Sequence, residues 1–120
     1  MRKLIITAIF CGAFSLALPS TVAAADPIAD NPTLKALWKE HCAQCHGEDG
    51  RGRTPMGRKL RVLDYTDPKV QAKFKDEEMI KITKEGVQKG SRVLMKPYKD
   101  ELTDEEIKDL VAYIRKFKKE

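Results

Sequence analysis

Cys42-Ala43-Gln44-Cys45-His46 decides how the rest of this 120-residue chain is read. On a helix, positions i, i+3 and i+4 share a face, so Cys42, Cys45 and His46 point the same way. Two thiols at this spacing, followed at once by a histidine, read as a c-type haem attachment site. The thiols can add to the two vinyl groups on one haem edge, and His46 can reach the iron as the proximal ligand. Gly47, Gly50 and Gly52 come next. Chain without a Cβ can run close against a flat macrocycle. A structural zinc site needs about four ligands; only His41 could join these three, and it lies off their shared face. A thioredoxin-type dithiol needs a βαβ context, and none is present.

Working outward, the chain begins Met1-Arg2-Lys3, runs apolar from Leu4 to Leu18, and reaches small residues at Ala23-Ala24-Ala25. This is the pattern of a secretory signal peptide, with cleavage expected after Ala25. The apolar run ends at Pro19, short of the roughly 20 residues that span a bilayer; a retained membrane anchor is the alternative. Cys11 is expected to leave with the leader, because Phe10 is too large for a lipoprotein cleavage site. Cys42 and Cys45 are then the only cysteines of residues 26–120, which excludes a disulfide elsewhere. Haem is attached to such motifs outside the bacterial cytoplasm. The periplasm is therefore the expected destination, with a thylakoid lumen as the alternative.

Residues 26–120 are enough for one domain. With 34% of the chain charged, side chains alone cannot build a generous core. A single haem would supply an apolar plate for a thin helical shell to pack around. The formal charge of +5 includes Arg2 and Lys3 of the leader. The remaining basic residues are interleaved with acids, and no nucleic-acid motif is present. A monomer with no nucleic-acid partner is expected.

Asn31-Pro32 is a helix start, with Asn31 as N-cap and Pro32 at the first helical position. The helix is expected to run to about Cys45, burying Leu34, Leu37 and Trp38, and to stop at Gly47. Trp38 reads as plain core. Residues 48 to 66 show no helical period and read as a loop lining the histidine side of the haem. Within it, the backbone oxygen of Pro55 is the candidate acceptor for the second ring nitrogen of His46. Asp67-Pro68 opens a short helix to about Phe74. Asp76-Glu77-Glu78 opens another, which Gly86 ends. Gly86 to Asp100 reads as irregular, and no strand pattern of useful length is visible. Thr103-Asp104-Glu105-Glu106 is a capping box. Behind it Ile107, Leu110, Val111, Ile114 and Phe117 keep the helical period, a stripe expected to cross the Leu34–Trp38 face.

The second axial position of the iron can be open or closed by a side chain. Met56, Met79 and Met95 are the soft candidates; His41 and the lysines are others. Met56 falls in the loop expected on the His46 side, and Met79 sits at a core position of a helix. Met95 lies in an irregular stretch before the terminal helix, where a thioether can approach iron without breaking a helix. Met95 is the expected distal ligand.

These pieces together resemble the class I c-type cytochromes, specifically the small soluble bacterial monohaem proteins. The resemblance rests on Cys42-Ala-Gln-Cys45-His46-Gly47, on Gly50-Arg-Gly52 and Thr54-Pro55, on Met95 with Tyr98 three residues later, and on Leu102 to Ile114. It spans about residues 33 to 117. One departure is that Lys96 stands between Met95 and Pro97, where similar proteins often have proline directly after the methionine. The resemblance implies an all-α, single-domain cytochrome c fold with N- and C-terminal helices crossing around one covalently bound haem. It also implies a protein that carries electrons and catalyses nothing.

The leading expectation is a soluble one-electron Fe(III)/Fe(II) shuttle, closed by His46 and Met95. Its partners would be periplasmic or membrane-bound redox proteins. The alternatives are a haem ligand-binding or peroxidase-like protein with an open sixth position, and a non-haem module that leaves His46 and Met95 unexplained. Arg51, Arg53, Arg58, Lys59 and Arg61, with Lys96 and Lys99 beside Met95, would form a basic rim for an acidic partner. Scattered solvated charges are the competing reading.

Overall fold

The computed structural model describes residues 26–119. The expected leader, its cleavage point and Cys11 lie outside the described residues. Six helices and one hairpin follow in order: α1 (Pro32–His41), α2 (Ala43–His46), α3 (Pro55–Leu60), α4 (Pro68–Gln71), α5 (Asp76–Glu85), β1 (Val87–Lys89), β2 (Arg92–Met95) and α6 (Asp104–Arg115). Among the described residues no helix is long and apolar enough to cross a membrane.

Helix α1 starts as its sequence dictates: Asn31 Oδ1 accepts from the Thr33 and Leu34 N–H groups, and Pro32 follows as the first helical residue. Helix α6 starts on a complete capping box. Thr103 Oγ1 accepts from Glu106 N–H at 3.2 Å, and the Glu106 carboxylate accepts from Thr103 N–H at 2.8 Å. The stripe behind this box forms the core. Ile107, Leu110 and Val111 are fully buried and pack with Leu34 and Trp38 of α1. The Trp38 ring lies 5.9 Å from Tyr113 and 5.0 Å from Phe117. The first and last helices therefore cross as expected.

Three boundaries differ from the sequence reading, each for a local reason. The first helix turns at Cys42 instead of running unbroken to Cys45, although the Cys42 carbonyl still accepts from His46 N–H at 3.0 Å. Residues 48–66 are not all loop, because Thr54-Pro55 starts α3: Thr54 Oγ1 caps it by accepting from Gly57 N–H at 2.8 Å. The signal is the same cap-plus-proline seen at Asn31 and Asp67, but no apolar period follows it. Helix α4 ends at Gln71 rather than Phe74, because the Lys73 N–H turns to the Val70 carbonyl and the Gln71 carbonyl accepts from the Arg115 guanidinium.

The stretch after Gly86 holds an antiparallel hairpin where no strand was expected. Val87 pairs with Met95 and Lys89 with Arg92, with an irregularity between Val87 and Gln88. Strands of three and four residues are too short to show alternation. At Gly86 the backbone φ is +76°, and a Cβ would stand 2.5 Å from the Met95 carbonyl oxygen. Only glycine turns the chain this tightly under Met95.

Arg115 ties the second half of the fold together. Its guanidinium donates to the Gln71 carbonyl (2.6 Å), Gln71 Oε1 (2.9 Å), the Phe74 carbonyl (2.7 Å) and Asp76 Oδ1 (2.8 Å). Buried Gln71 in turn donates through Nε2 to the carbonyls of Tyr65 and Ile114. Arg115→Ala is expected to lower the stability of the haem-loaded protein by about 1.5–3 kcal/mol, the worth of charge-assisted bonds whose loss strands buried partners. Arg115→Lys should recover less than half, because an ammonium can keep Asp76 but cannot span the other acceptors. Denaturant unfolding of the three proteins measures this, and full rescue by lysine would refute it.

Candidate haem site

Cys42, Cys45 and His46 stand together on the wall of one cavity of about 500 Å3. Both thiols are free. The other walls are mostly apolar: Leu60 to Leu63 and Tyr65 from the stretch after α3, Met79 and Ile82 from α5, Leu94 and Met95 from β2, and Leu110 and Ile114 from α6. That size suits an enclosed cofactor.

The segment is pinned from three sides. Trp38, only 2% exposed, is core as expected, but its indole N–H also donates to the Gly47 carbonyl at 2.9 Å. This fixes the turn that follows His46. Thr54 Oγ1 donates to the Cys45 carbonyl at 2.9 Å, docking the start of α3 onto the end of α2. Tyr98 donates its hydroxyl to the His41 carbonyl at 2.6 Å, joining the chain after Met95 to the end of α1. Sequence reading placed Tyr98 only by its spacing from Met95; its bond partner lies 57 residues away.

Burial pushes the Cys42 thiol up to about 12 and raises that of Cys45. Both are therefore protonated at neutral pH. That is the opposite of the low-pKa thiolate a reactive dithiol needs, and it argues against thioredoxin-like chemistry. Burial also lowers His46 to about 4, which keeps its imidazole neutral, the form that binds a metal. His46 Nδ1 is buried and has no hydrogen-bond partner among the described residues. The expected bond from His46 to the Pro55 carbonyl is thus not formed. Pro55 is the first residue of α3.

Tyr65 is the site residue that sequence reading missed. Its ring stacks on His46, with centroids 5.1 Å apart and planes 16° from parallel. It sits in the apparent loop of residues 48–66 with no periodic partner to mark it. Gln71 holds its carbonyl in place. Gly47 ends α2 at φ +78°, as expected. Gly50 has φ +71°, and a Cβ there would lie 2.7 Å from the Phe117 ring, so it makes room for the end of the chain.

The three methionines separate clearly. Met56 is in the first turn of α3, is 37% exposed and does not line the cavity. Met79 and Met95 both line it, Met79 as a buried member of the core and Met95 as a half-buried residue at the end of β2. The expected basic rim is only partly present. Arg51 pairs with Asp49, Arg53 approaches Asp64, and Lys96 bonds to Glu101 at 2.8 Å.

Two free thiols, a neutral imidazole with an orphaned nitrogen and apolar walls around one cavity fit a covalently held haem. Comparison with known proteins agrees. Residues 29–114 match the family described as cytochrome C oxidase, cbb3-type, subunit III. Cytochrome c-554(548) of Halomonas halodenitrificans is 36% identical over 73 residues, covering 60% of this chain and 78% of that protein. The solved structure of KustC0563 c-type cytochrome is similar at 40% identity with a TM-score of 0.62, over 71% of this chain and 96% of that one. A single-residue variant of that cytochrome gives the same TM-score at 39% identity, over 71% and 98%. The chain therefore belongs to this family of c-type cytochromes, which implies covalently bound haem c, and Cys42 and Cys45 fit its attachment site.

Proposed function

We propose that the protein is an exported, soluble one-electron carrier whose haem iron is held between His46 and Met95. The observation that carries this reading is that both side chains, with both thiols, line the same largely apolar cavity. When bound, the haem supplies a reversible Fe(III)/Fe(II) couple. The chain's own residues do the rest. Cys42 and Cys45 hold the cofactor covalently. His46, kept neutral by burial, offers a ring nitrogen. Met95 offers a soft thioether from a strand end whose backbone is braced by Gly86. Met79 is the weaker candidate: it is packed in the core on α5, and drawing its sulfur out would empty that packing. The apolar walls exclude water and favour the less charged reduced state.

Residues 1–25 are proposed as a cleaved leader and residues 26–120 as the working domain in the periplasm. The partners would be periplasmic or membrane-bound redox proteins, and no catalysis is assigned to the chain. Potentiometric titration of the purified haem-loaded protein, followed by exposure of its reduced form to carbon monoxide, tests this. A reversible one-electron wave with poor carbon monoxide binding is expected. Avid binding would favour the open-iron alternative.

A further inference from the structure

Lys96 stands directly after Met95, where similar proteins often have proline. A proline there would fix one backbone dihedral and limit the conformations in which the thioether points away. Lysine leaves both dihedrals free, so a released Met95 has more states to explore. The strand end needs another hold.

The residues just after Met95 supply it. Tyr98, only 8% exposed, donates its hydroxyl to the His41 carbonyl at 2.6 Å, across 57 residues. His41 is the last residue of α1 and immediately precedes Cys42. The bond therefore joins the chain beyond the thioether to the start of the attachment motif. The His41 ring packs edge-on against the Tyr98 ring, with centroids 5.9 Å apart and planes at 83°. The Tyr98 and Lys99 N–H groups donate to the carbonyls of Thr83 and Lys84, near the end of α5, at 3.1 and 3.3 Å. Lys96 folds back over the Tyr98 ring, 5.0 Å from its centroid, and donates to both carboxylate oxygens of Glu101 at 2.8 and 2.9 Å. Glu101 Oε2 also lies 3.6 Å from His41 Nδ1.

These contacts differ in weight. The Lys96 and Glu101 side chains are 53% and 42% exposed, and an ion pair in that much water contributes little and fades with salt. The Tyr98 ring, by contrast, belongs to the core. The carbonyl it meets ends a helix, where no intrahelical partner is available, and the hydroxyl supplies one.

We infer that Tyr98 is a positioning residue for Met95. Its hydroxyl latches the chain beyond the distal ligand to the end of α1, with the Lys96–Glu101 pair as a minor brace, and so takes the place of the missing proline. The inference rests on the reading of Met95 as the iron ligand.

The test uses the haem-loaded protein in its Fe(III) form and imidazole as the probe. At saturating imidazole, the displacement rate is set by how often Met95 leaves the iron. Tyr98→Phe keeps the ring and removes only the hydroxyl. It should speed displacement about fivefold, the effect of one hydrogen bond whose loss strands a carbonyl. Lys96→Gln should speed it less than about twofold at low salt, and not at all near 1 M salt. Adding Lys96→Pro to Tyr98→Phe should return the rate to within about twofold of wild type, because proline restores the lost restriction. Met95 already lies in a strand, the extended backbone that a residue before proline prefers. Arg115→Ala is the control for stability alone. It weakens the fold through Gln71 and Phe74 instead, and should change the displacement rate less than about twofold.

A wild-type rate for Tyr98→Phe would overturn the inference. So would equal acceleration by Arg115→Ala, since the hydroxyl would then act only through global stability. A proline variant that folds yet stays as fast as Tyr98→Phe would overturn it too, because the latch would not be standing in for proline. If proline prevents folding, Tyr98→Phe against Arg115→Ala still decides. Met95→Ala tests the underlying reading separately. A wild type that bound imidazole as fast as Met95→Ala would show that Met95 is not the ligand, whatever the rate of Tyr98→Phe.

Discussion

Cys42→Ser/Cys45→Ser is expected to leave a chain that does not fold. Without thioether bonds the haem is lost, and the cavity of about 500 Å3 loses its filling. At about 24 cal/mol per Å3, a rigid cavity of that size costs roughly 10 kcal/mol. That is comparable to the whole stability of a small domain, about 5–15 kcal/mol. Collapse or flooding would reduce the cost, but only by giving up the walls contributed by α5, β2 and α6. The remaining core is the contact of α1 with α6, centred on Trp38 and Ile107, and two helices with one interface are marginal. Far-UV circular dichroism and thermal melting of the double variant provide the measurement. Normal yield with a cooperative melt would show that the shell stands without its cofactor.

Met95→Ala is expected to open the sixth iron position while the haem stays attached. Attachment depends on Cys42, Cys45 and His46, and none of them is touched. The reduced variant should bind carbon monoxide readily. Its reduction potential should fall by at least about a tenth of the roughly 0.8 V range that axial ligation commands, because a thioether favours Fe(II). Met79→Leu is a volume-conserving core change and should do neither. Met56→Leu should be silent, since Met56 stands exposed outside the cavity. If Met79→Leu opened the iron, the ligand assignment would move to α5. If the wild type bound carbon monoxide as well as the variant, the electron-carrier reading would be lost with it.

The cofactor and the helical frame were legible in the chain because both are written locally. The spacing of Cys42, Cys45 and His46 is a covalent requirement, independent of what packs around it. The starts of α1, α4 and α6 need only a capping side chain and the next few residues, and the stripe from Ile107 to Ile114 follows from the helical period. Where the local signal was too short, the reading failed. The three- and four-residue strands of the hairpin show no alternation, and α3 has a cap but no apolar stripe.

Tertiary structure decided what depends on meetings between distant residues. It alone put Tyr65 on His46, left the expected Pro55 bond unmade, set Gly50 against Phe117 and joined Arg115 to Gln71. It also paired nine of the lysines and arginines with acids, Arg51, Arg53 and Lys96 of the expected rim among them. The contacts of Tyr65 with His46, of Arg115 with Gln71 and of Gly50 with Phe117 join residues 19, 44 and 67 apart, and no local pattern carries that information. The sequence by itself determined that this chain holds a haem within a helical shell. Packing determined which side chains line the cavity for that haem.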